Sequence, residues 1–177
     1  VADVLYNFIP ETTETLGQIR GLASGYMGSH NNRIDQLTNN EEKRLRALYN
    51  QLKMLDSLME NRLKRSVKMV ANSQHLIEYQ ETNIKPQLNI FMQHFEQMLF
   101  NHKTDWMPET LFADATKIIQ SYDALYDNMT EIFSTALEQR QSNLGVKKNL
   151  VLMSSTIGLF GFIALFTFLF RGLTKTE

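Results

Sequence analysis

The chain of 177 residues contains no cysteine, only three prolines and only eight glycines. The absence of cysteine excludes disulfide bonds, thiolate metal sites and cysteine nucleophiles. The scarcity of proline and glycine argues against a fold built from β-hairpins and tight turns. The chain also lacks a large net charge, because its 18 Lys and Arg residues nearly balance its 19 Asp and Glu residues. We therefore expect no broad basic surface and no nucleic-acid partner.

Sequence patterns that carry catalysis or bind metals are missing as well. His94 and His102 have no carboxylate at ligand spacing, and His30 and His75 are isolated. There is no P-loop, no dinucleotide fingerprint and no Ser/His/Asp arrangement. The Glu-x-x-His pair of metal-binding helical bundles is also absent. We expect no metal, no cofactor and no enzymatic activity.

One long apolar run is present near the end of the chain. Leu150–Phe170 contains no charged residue and has a length of about twenty residues, which suffices to cross a bilayer. Lys147 and Lys148 precede the run, and Arg171 and Lys175 follow it. The basic flanks are balanced, so they do not orient a membrane helix.

Apolar residues recur at alternating intervals of three and four through the rest of the chain, as in helices that pack into a bundle. Four such seams are present, and a polar residue occupies one position in the first seam and one in the third. The seams are Leu5, Ile9, Thr12, Leu16, Ile19, Ala23 and Tyr26; Leu45, Leu48, Leu52, Leu55 and Met59; Ile77, Glu81, Ile84, Leu88, Phe91, Phe95 and Met98; and Leu111, Ala115, Ile118, Tyr122, Leu125, Met129, Ile132 and Ala136.

The helix ends are less clearly marked than the seams. Pro10 either kinks the first helix or marks its beginning. The second helix is predicted from about residue 34 to about residue 70, followed by a turn at Asn72–Ser73. The third seam stays in phase across Pro86, which favours one kinked helix; a turn at residues 83–86 is the alternative. Pro108 suits the first turn of the fourth helix.

These lengths predict an all-α fold, an up-down-up-down four-helix bundle whose last helix continues into a transmembrane helix. The predicted domains are an extracytoplasmic bundle at 1–148, a membrane helix at 149–171 and the start of a cytoplasmic segment at 172–177. Both ends of the bundle would then lie at the membrane, which predicts a further membrane helix before Val1.

A second apolar stripe runs beside the seam of the fourth helix. Its members are Phe112, Ile119, Tyr126 and Phe133. One stripe can fill the core of the bundle while the other faces a second subunit. We therefore expect a homodimer.

Three glycines spaced by four, Gly17, Gly21 and Gly25, lie in the first helix around Arg20. Each costs roughly 1 kcal/mol relative to alanine within a helix. They form a smooth ridge that favours close helix packing, or that leaves space for a small ligand beside Arg20. The guanidinium of Arg20 suits a carboxylate or oxyanion ligand. The alternative is a salt bridge to an acidic residue of a neighbouring helix.

Polar residues interrupt the fourth seam just before the apolar run. Gln139 and Asn143 continue the spacing of the seam, and Gly145 follows as a candidate break. Loose packing there would allow helix rotation, tilt or sliding, so these residues are candidates for signal transmission. An ordinary frayed bundle base is the alternative.

Two stretches resemble bacterial helical sensor domains. The stretch IPETTETLGQIRGLASG at residues 9–25 resembles the opening helix of nitrate/nitrite-sensing and related four-helix-bundle modules of chemoreceptors, sensor kinases and cyclic-di-nucleotide synthases. The stretch LFADATKII at residues 111–119, leading to LEQR at 137–140, resembles their fourth helix, which ends in a membrane span. The resemblance includes the pair Arg20–Gly21.

The resemblance implies the extracytoplasmic sensory module of a bacterial inner-membrane receptor, with its bundle in the periplasm. Expected partners are a second copy, the membrane, and either a small-molecule or anion ligand or a periplasmic binding protein. The rival interpretation is a tail-anchored protein whose cytosolic bundle serves interaction or membrane remodelling. A membrane span upstream of Val1 would exclude the rival.

Overall fold

The computed structural model describes residues 3–68, 73–101 and 106–173, except for the side chains of residues 146, 150, 151 and 157–173. All regular structure in these ranges is helical, so the all-α prediction is confirmed. The α-helices are α1 (Ile9–Ser29), α2 (Asn39–Val67), α3 (Gln74–Tyr79), α4 (Lys85–Asn101) and α5 (Pro108–Leu173). Two π-helical turns, Val4–Phe8 and Gln80–Ile84, and one 3-10 turn, Ile34–Gln36, complete the set.

Two side-chain contacts along α2 show that it runs in the opposite direction to α1. Arg62 near the end of α2 lies 3.3 Å from Asp3, whereas Gln51 in the middle of α2 donates to Glu11 at 3.3 Å. The later residue of α2 thus contacts the earlier residue near α1, and the earlier residue of α2 contacts the later one. The helices α1 and α2 are therefore antiparallel. The described residues thus form four helices of a bundle, in which α3, its π turn and α4 act as one helix.

Most seam residues lie in the bundle core, but Ile77, Ile132 and Ala136 are only partly buried, and the core also contains residues outside the seams, such as Tyr49 and Leu99. The buried apolar side chains of the four seams include Leu5, Ile9, Leu16, Ile19, Ala23, Leu45, Leu52, Leu55, Met59, Ile84, Leu88, Phe91, Phe95, Met98, Leu111, Ala115, Ile118, Tyr122, Leu125 and Met129. At the end of α1, Met27 takes the buried place predicted for Tyr26, which is only partly buried.

A π turn precedes each proline that lies inside a helix. Val4–Phe8 comes before Pro10, and in the second case the N–H of Lys85 donates to the carbonyl of Gln80 before Pro86. A proline ring lacks an N–H and collides with the carbonyl four residues back. The wider turn relieves that collision without ending the helix, so the prediction of one helix through Pro86 is confirmed and the turn at residues 83–86 is wrong.

The second π turn changes which residues face the core. Gln80 is buried and Glu81 is exposed, although the spacing of the seam places Glu81 inside. The extra residue in a π turn rotates the following helix, and a pattern of three and four does not reveal it. The prediction for Glu81 is therefore wrong.

A capping box begins α2 at Asn39, five residues after the predicted start at Ile34. The Thr38 hydroxyl accepts from the Glu41 N–H at 3.3 Å, and the Glu41 carboxylate accepts from the Thr38 N–H at 2.7 Å. The Thr38 N–H and the Thr38 hydroxyl both donate to the Glu41 carboxylate, and these two bonds hold the pKa of Glu41 below its ordinary value. The predicted end at residue 70 and the turn residue Asn72 lie outside the described residues.

The chain divides into two compact units, Val1–Phe133 and Ser134–Glu177. In the second unit α5 continues as helix to Leu173. Among the described residues, no helix has the length and apolar character that crossing a bilayer requires. The predicted span Leu150–Phe170 falls mostly on side chains outside the described residues.

Candidate functional site

The side chain of Arg20 joins α1 to the first turns of α5. Its Nη1 donates to the Thr116 hydroxyl at 3.1 Å, and its guanidinium carbon lies 4.7 Å from the centre of the Phe112 ring. The Thr116 hydroxyl in turn donates to the carbonyl of Phe112 at 2.7 Å. One turn further along α1, the Ser24 hydroxyl donates to the carbonyl of Pro108 at 3.1 Å.

Arg20 therefore has protein partners, but they are neutral. Within the described parts of the chain no carboxylate pairs with Arg20, so the alternative, a salt bridge to a neighbouring helix, is not found there. A guanidinium carries five N–H donors in a planar fork. One of them is used by Thr116, which leaves capacity for an anionic ligand.

The glycine ridge of Gly17, Gly21 and Gly25 is open. Among the residues that the structure describes, a Cβ added at any of the three would meet no neighbouring atom within 4 Å apart from the helix itself. Close packing of this ridge against another helix of the same chain is therefore not observed, and that prediction is wrong for a single copy. Gly21 and Gly25 are exposed, so the ridge forms part of the outer surface of α1.

A half-open cleft of about 140 Å³ lies between α4 and α5, on the other side of α5 from Arg20. Phe91 and Ile118, both buried, form its floor, and Ile90 lies at its rim with 57% of its surface exposed. Asp114 and Lys117 line the cleft from α5. The sixth lining residue is Gln87, whose amide nitrogen donates to the carbonyl of Asn83 at 2.6 Å.

The floor of the cleft rests on a cluster of aromatic rings. The centre of the Phe91 ring lies 5.9 Å from that of Phe95 and 5.1 Å from that of Trp106. His94 meets Trp106 edge-on at 5.2 Å between ring centres. Such contacts between large rings fix side chains in place. The cleft therefore has a firm apolar base and a charged rim.

A network of charged residues near the C-terminal end of α2 links this helix to the second π turn and to α4. Glu60 accepts from Lys64 at 2.6 Å and from Lys85 at 2.7 Å. These two hydrogen bonds lower the pKa of Glu60 to about 2. Beside them, burial raises the pKa of Asp56, and the nearby Lys85 only partly opposes this. The pKa values of these two carboxylates, one helical turn apart, shift in opposite directions because Glu60 is hydrogen-bonded to two lysines whereas Asp56 is mainly affected by burial.

Tyr122 places a hydroxyl in the core near Asp56. The side chain has no exposed surface, and its oxygen has no hydrogen-bond partner among the residues that the structure describes. Burial, and next the charge of Asp56, raise the pKa of Tyr122. A buried hydroxyl without a partner costs free energy, so this position is a weak point of the core.

The three residues predicted to transmit signals lie on the part of α5 in the second unit. Gln139, Asn143 and Gly145 are all exposed, and Gly145 does not interrupt the helix. The predicted break at Gly145 is therefore wrong. Whether the three residues transmit signals stays a prediction.

Among the described residues no group of three or more His, Asp or Glu side chains is placed to hold a metal ion. Comparisons with protein families, with curated proteins and with solved structures find no match to this chain.

The sequence singles out Arg20 as a candidate, but it does not indicate the cleft. Asp114 and Lys117 are ordinary helix charges in the sequence, and only the packing of α4 against α5 brings them beside Phe91. Their spacing of three on one helix is the one local signal, because residues at i and i+3 share a face. That signal is too common among surface helices to single out a site.

Proposed function

We propose that this chain is the extracytoplasmic sensory module of a bacterial inner-membrane receptor, of the chemoreceptor, sensor-kinase or cyclase type. The bundle lies in the periplasm, and Leu150–Phe170 crosses the inner membrane. The receptor works as a homodimer. A small molecule, an anion or a periplasmic binding protein favours one packing of the bundle, and α5 passes the change to the cytoplasmic side.

The observation that carries the proposal is the continuity of α5. Its seam from Leu111 to Met129 is buried in the bundle, and the same helix runs on through Gly145 to Leu173. A ligand that binds two packings of the bundle unequally shifts their populations. Shifts of about 1–2 Å in one helix relative to its neighbours are an established means of carrying such a change.

Two exposed leucines in the second unit support a homodimer. Leu137 and Leu144 are 50% and 59% exposed, and they lie seven residues apart on one face of α5. Leucines at heptad spacing form the seam of a coiled coil when a second helix covers them. Phe112, at 47% exposure, adds apolar surface on the first unit.

Arg20 is the proposed contact for an anionic ligand. It follows the buried Ile19, and its partners on α5 are neutral. An anion that formed hydrogen bonds with the remaining N–H donors would alter the link between α1 and Thr116. The ligand would thereby act on the helix that leads to the apolar run.

Protease accessibility tests the proposal directly. The full chain, expressed in a Gram-negative bacterium, is treated with protease in intact cells and after the outer membrane has been opened. We expect the bundle to be protected in intact cells and digested once the periplasm is open, while a cytoplasmic marker protein stays intact. The chain should also remain with the membrane fraction in alkaline carbonate.

The rival, a tail-anchored protein with a cytosolic bundle, predicts a different result. Its bundle would stay protected until the inner membrane is also broken. A chain released from membranes by carbonate would contradict both interpretations, because each requires Leu150–Phe170 to span the bilayer.

A further inference from the structure

The cleft between α4 and α5 has three features that suit a small ligand. It has a buried apolar floor in Phe91 and Ile118. It also has a carboxylate and an ammonium group on the same face of one helix, Asp114 and Lys117. A volume of about 140 Å³ is enough for several water molecules or for a small organic molecule.

The two charges of the cleft are not spent on each other. No ion pair or hydrogen bond joins Asp114 to Lys117 or to another residue in the described ranges, although i and i+3 positions are neighbours on a helix. Elsewhere on the bundle, oppositely charged neighbours do pair, as Glu42 with Arg46 at 2.6 Å. The cleft thus presents one acceptor and one donor of opposite charge side by side.

We propose that this cleft binds a small zwitterion, with its cationic nitrogen against Asp114 and its carboxylate against Lys117. A ligand with only one charge would satisfy one residue and leave the other without a partner. A short apolar part of the ligand covers Phe91 and Ile118. The inference rests on the proposed sensory function, since it names the ligand class and adds a site distinct from Arg20.

The position of the cleft suits a sensor. Asp114 and Lys117 lie in the first three turns of α5, and Phe91 lies in α4, so a bound ligand joins these two helices. Ile118 belongs to the buried seam of α5 and also lines the cleft, so it would lie beside a bound ligand. Filling the cleft would therefore stabilise one arrangement of α5 against α4.

Trp106 provides a built-in reporter for binding. It is the only tryptophan in the chain, and its ring centre lies 5.1 Å from that of Phe91 in the floor. The purified full chain in mild detergent is titrated with each probe up to a probe concentration of about 10 mM. This range detects dissociation constants in the millimolar range. The probes are L-alanine, glycine betaine, propionate and propylammonium, and calorimetry is run beside fluorescence.

The inference predicts saturable binding of at least one of the two zwitterions, and at least tenfold weaker binding of propionate and propylammonium. Binding of L-alanine alone indicates a ligand that donates N–H groups to Asp114, and binding of glycine betaine indicates a methylated cation; either result supports the inference. Equal binding of the singly charged probes, or no binding of either zwitterion, overturns it.

Variants assign the binding to the cleft. Asp114→Asn and Lys117→Met should each weaken zwitterion binding about tenfold. The matched controls are Asp123→Asn, an exposed acid two turns further along α5, and Lys53→Met on α2, which should leave affinity within twofold. Unchanged affinity in both cleft variants overturns the inference. If the cleft does not bind a zwitterion, the receptor proposal is still tested by the protease experiment, because that experiment does not depend on any ligand.

Discussion

The guanidinium of Arg20 lies over the ring of Phe112, 4.7 Å from its centre, and so ties the glycine-rich part of α1 to the beginning of α5. The same guanidinium donates to Thr116, one turn further along α5. The residue singled out by the sequence as a ligand contact thus also connects two helices. Both roles are compatible, because a guanidinium can stack on a ring and still donate from its edge.

Loss of the Arg20 side chain should weaken the bundle. A cation–π contact contributes about 0.5–1 kcal/mol and a hydrogen bond about 0.5–1.5 kcal/mol. We expect Arg20→Ala to lower the melting temperature, followed by circular dichroism, by about 2–6 °C. The control is Arg33→Ala, whose ion pair with Asp35 is exposed and should contribute little. Equal melting of the two variants would contradict a structural role for Arg20.

Two buried tyrosines should respond in opposite ways to the same substitution. Tyr122→Phe removes a buried hydroxyl that has no partner in the described part of the chain, so we expect the melting temperature to rise by about 2–4 °C. Tyr49 differs: burial, and next the nearby Glu96 carboxylate, raise its pKa to about 12. Tyr49→Phe removes a hydroxyl that can interact with this carboxylate, so we expect the melting temperature to fall by a similar amount. A loss of stability in Tyr122→Phe would show that its hydroxyl is well satisfied.

The pKa shift of Glu60 predicts a loss of stability in acid. Its folded-state pKa of about 2 lies below the ordinary value of 4.5, so the stabilisation is complete above about pH 5 and disappears as the pH falls toward 2. Because Glu60 is partly exposed, we expect only about 0.5–1 kcal/mol at pH 7. Glu60→Gln should therefore be less stable than wild type at pH 7 and nearly equal to it near pH 2.

Asp56 should show the reverse dependence. Burial raises its folded-state pKa, so its contribution favours folding below its ordinary pKa and turns unfavourable as the pH rises through the folded-state value. Asp56→Asn should be more stable than wild type at pH 7, and this advantage should shrink in acid. Melting temperatures of wild type and of both variants, measured between about pH 2 and about pH 7, compare the two dependences. A parallel response of Glu60→Gln and Asp56→Asn would rule out the assigned causes.

The seams of the four helices could be predicted from the sequence because burial imposes a period on each helix. The positions that were mispredicted have local causes that the period does not contain. The π turn before Pro86 rotated Glu81 out of the core, and the capping box of Thr38 and Glu41 moved the start of α2. Both signals, a proline within a helix and the sequence Thr-x-x-Glu, are visible in the sequence. They predict these two positions correctly only if they take precedence over the apolar spacing of the seam.

The candidate sites were predictable to different extents. Arg20 stood out because a long cation lay within a row of glycines. The open state of Gly17 and Gly21 could not be foreseen, since small residues suit both a close contact and an empty surface. The cleft of Asp114 and Phe91 depends on how α4 meets α5. Contacts of that kind arise from tertiary packing and leave little trace in either helix alone.

The proposed homodimer predicts a face-specific crosslink. The chain has no cysteine, so Leu144→Cys introduces a unique thiol on the exposed leucine face of α5. We expect mild oxidation in membranes to give a covalent dimer rapidly. Ser142→Cys, two residues away and on roughly the opposite side of the helix, is the matched control and should react slowly. Equal rates at both positions would argue against a parallel coiled-coil contact.

Cysteine accessibility along α5 tests the central claim most directly, since that claim is that one helix leads from a periplasmic bundle through the inner membrane. Single cysteines at Ser142, Gly161 and Thr176 are treated with a membrane-impermeant maleimide in intact and in lysed cells. The account predicts that Ser142→Cys reacts in intact cells, that Thr176→Cys reacts only after lysis, and that Gly161→Cys reacts only when the protein is denatured. Reaction of Ser142→Cys only after lysis, or of Gly161→Cys in intact cells, would contradict it.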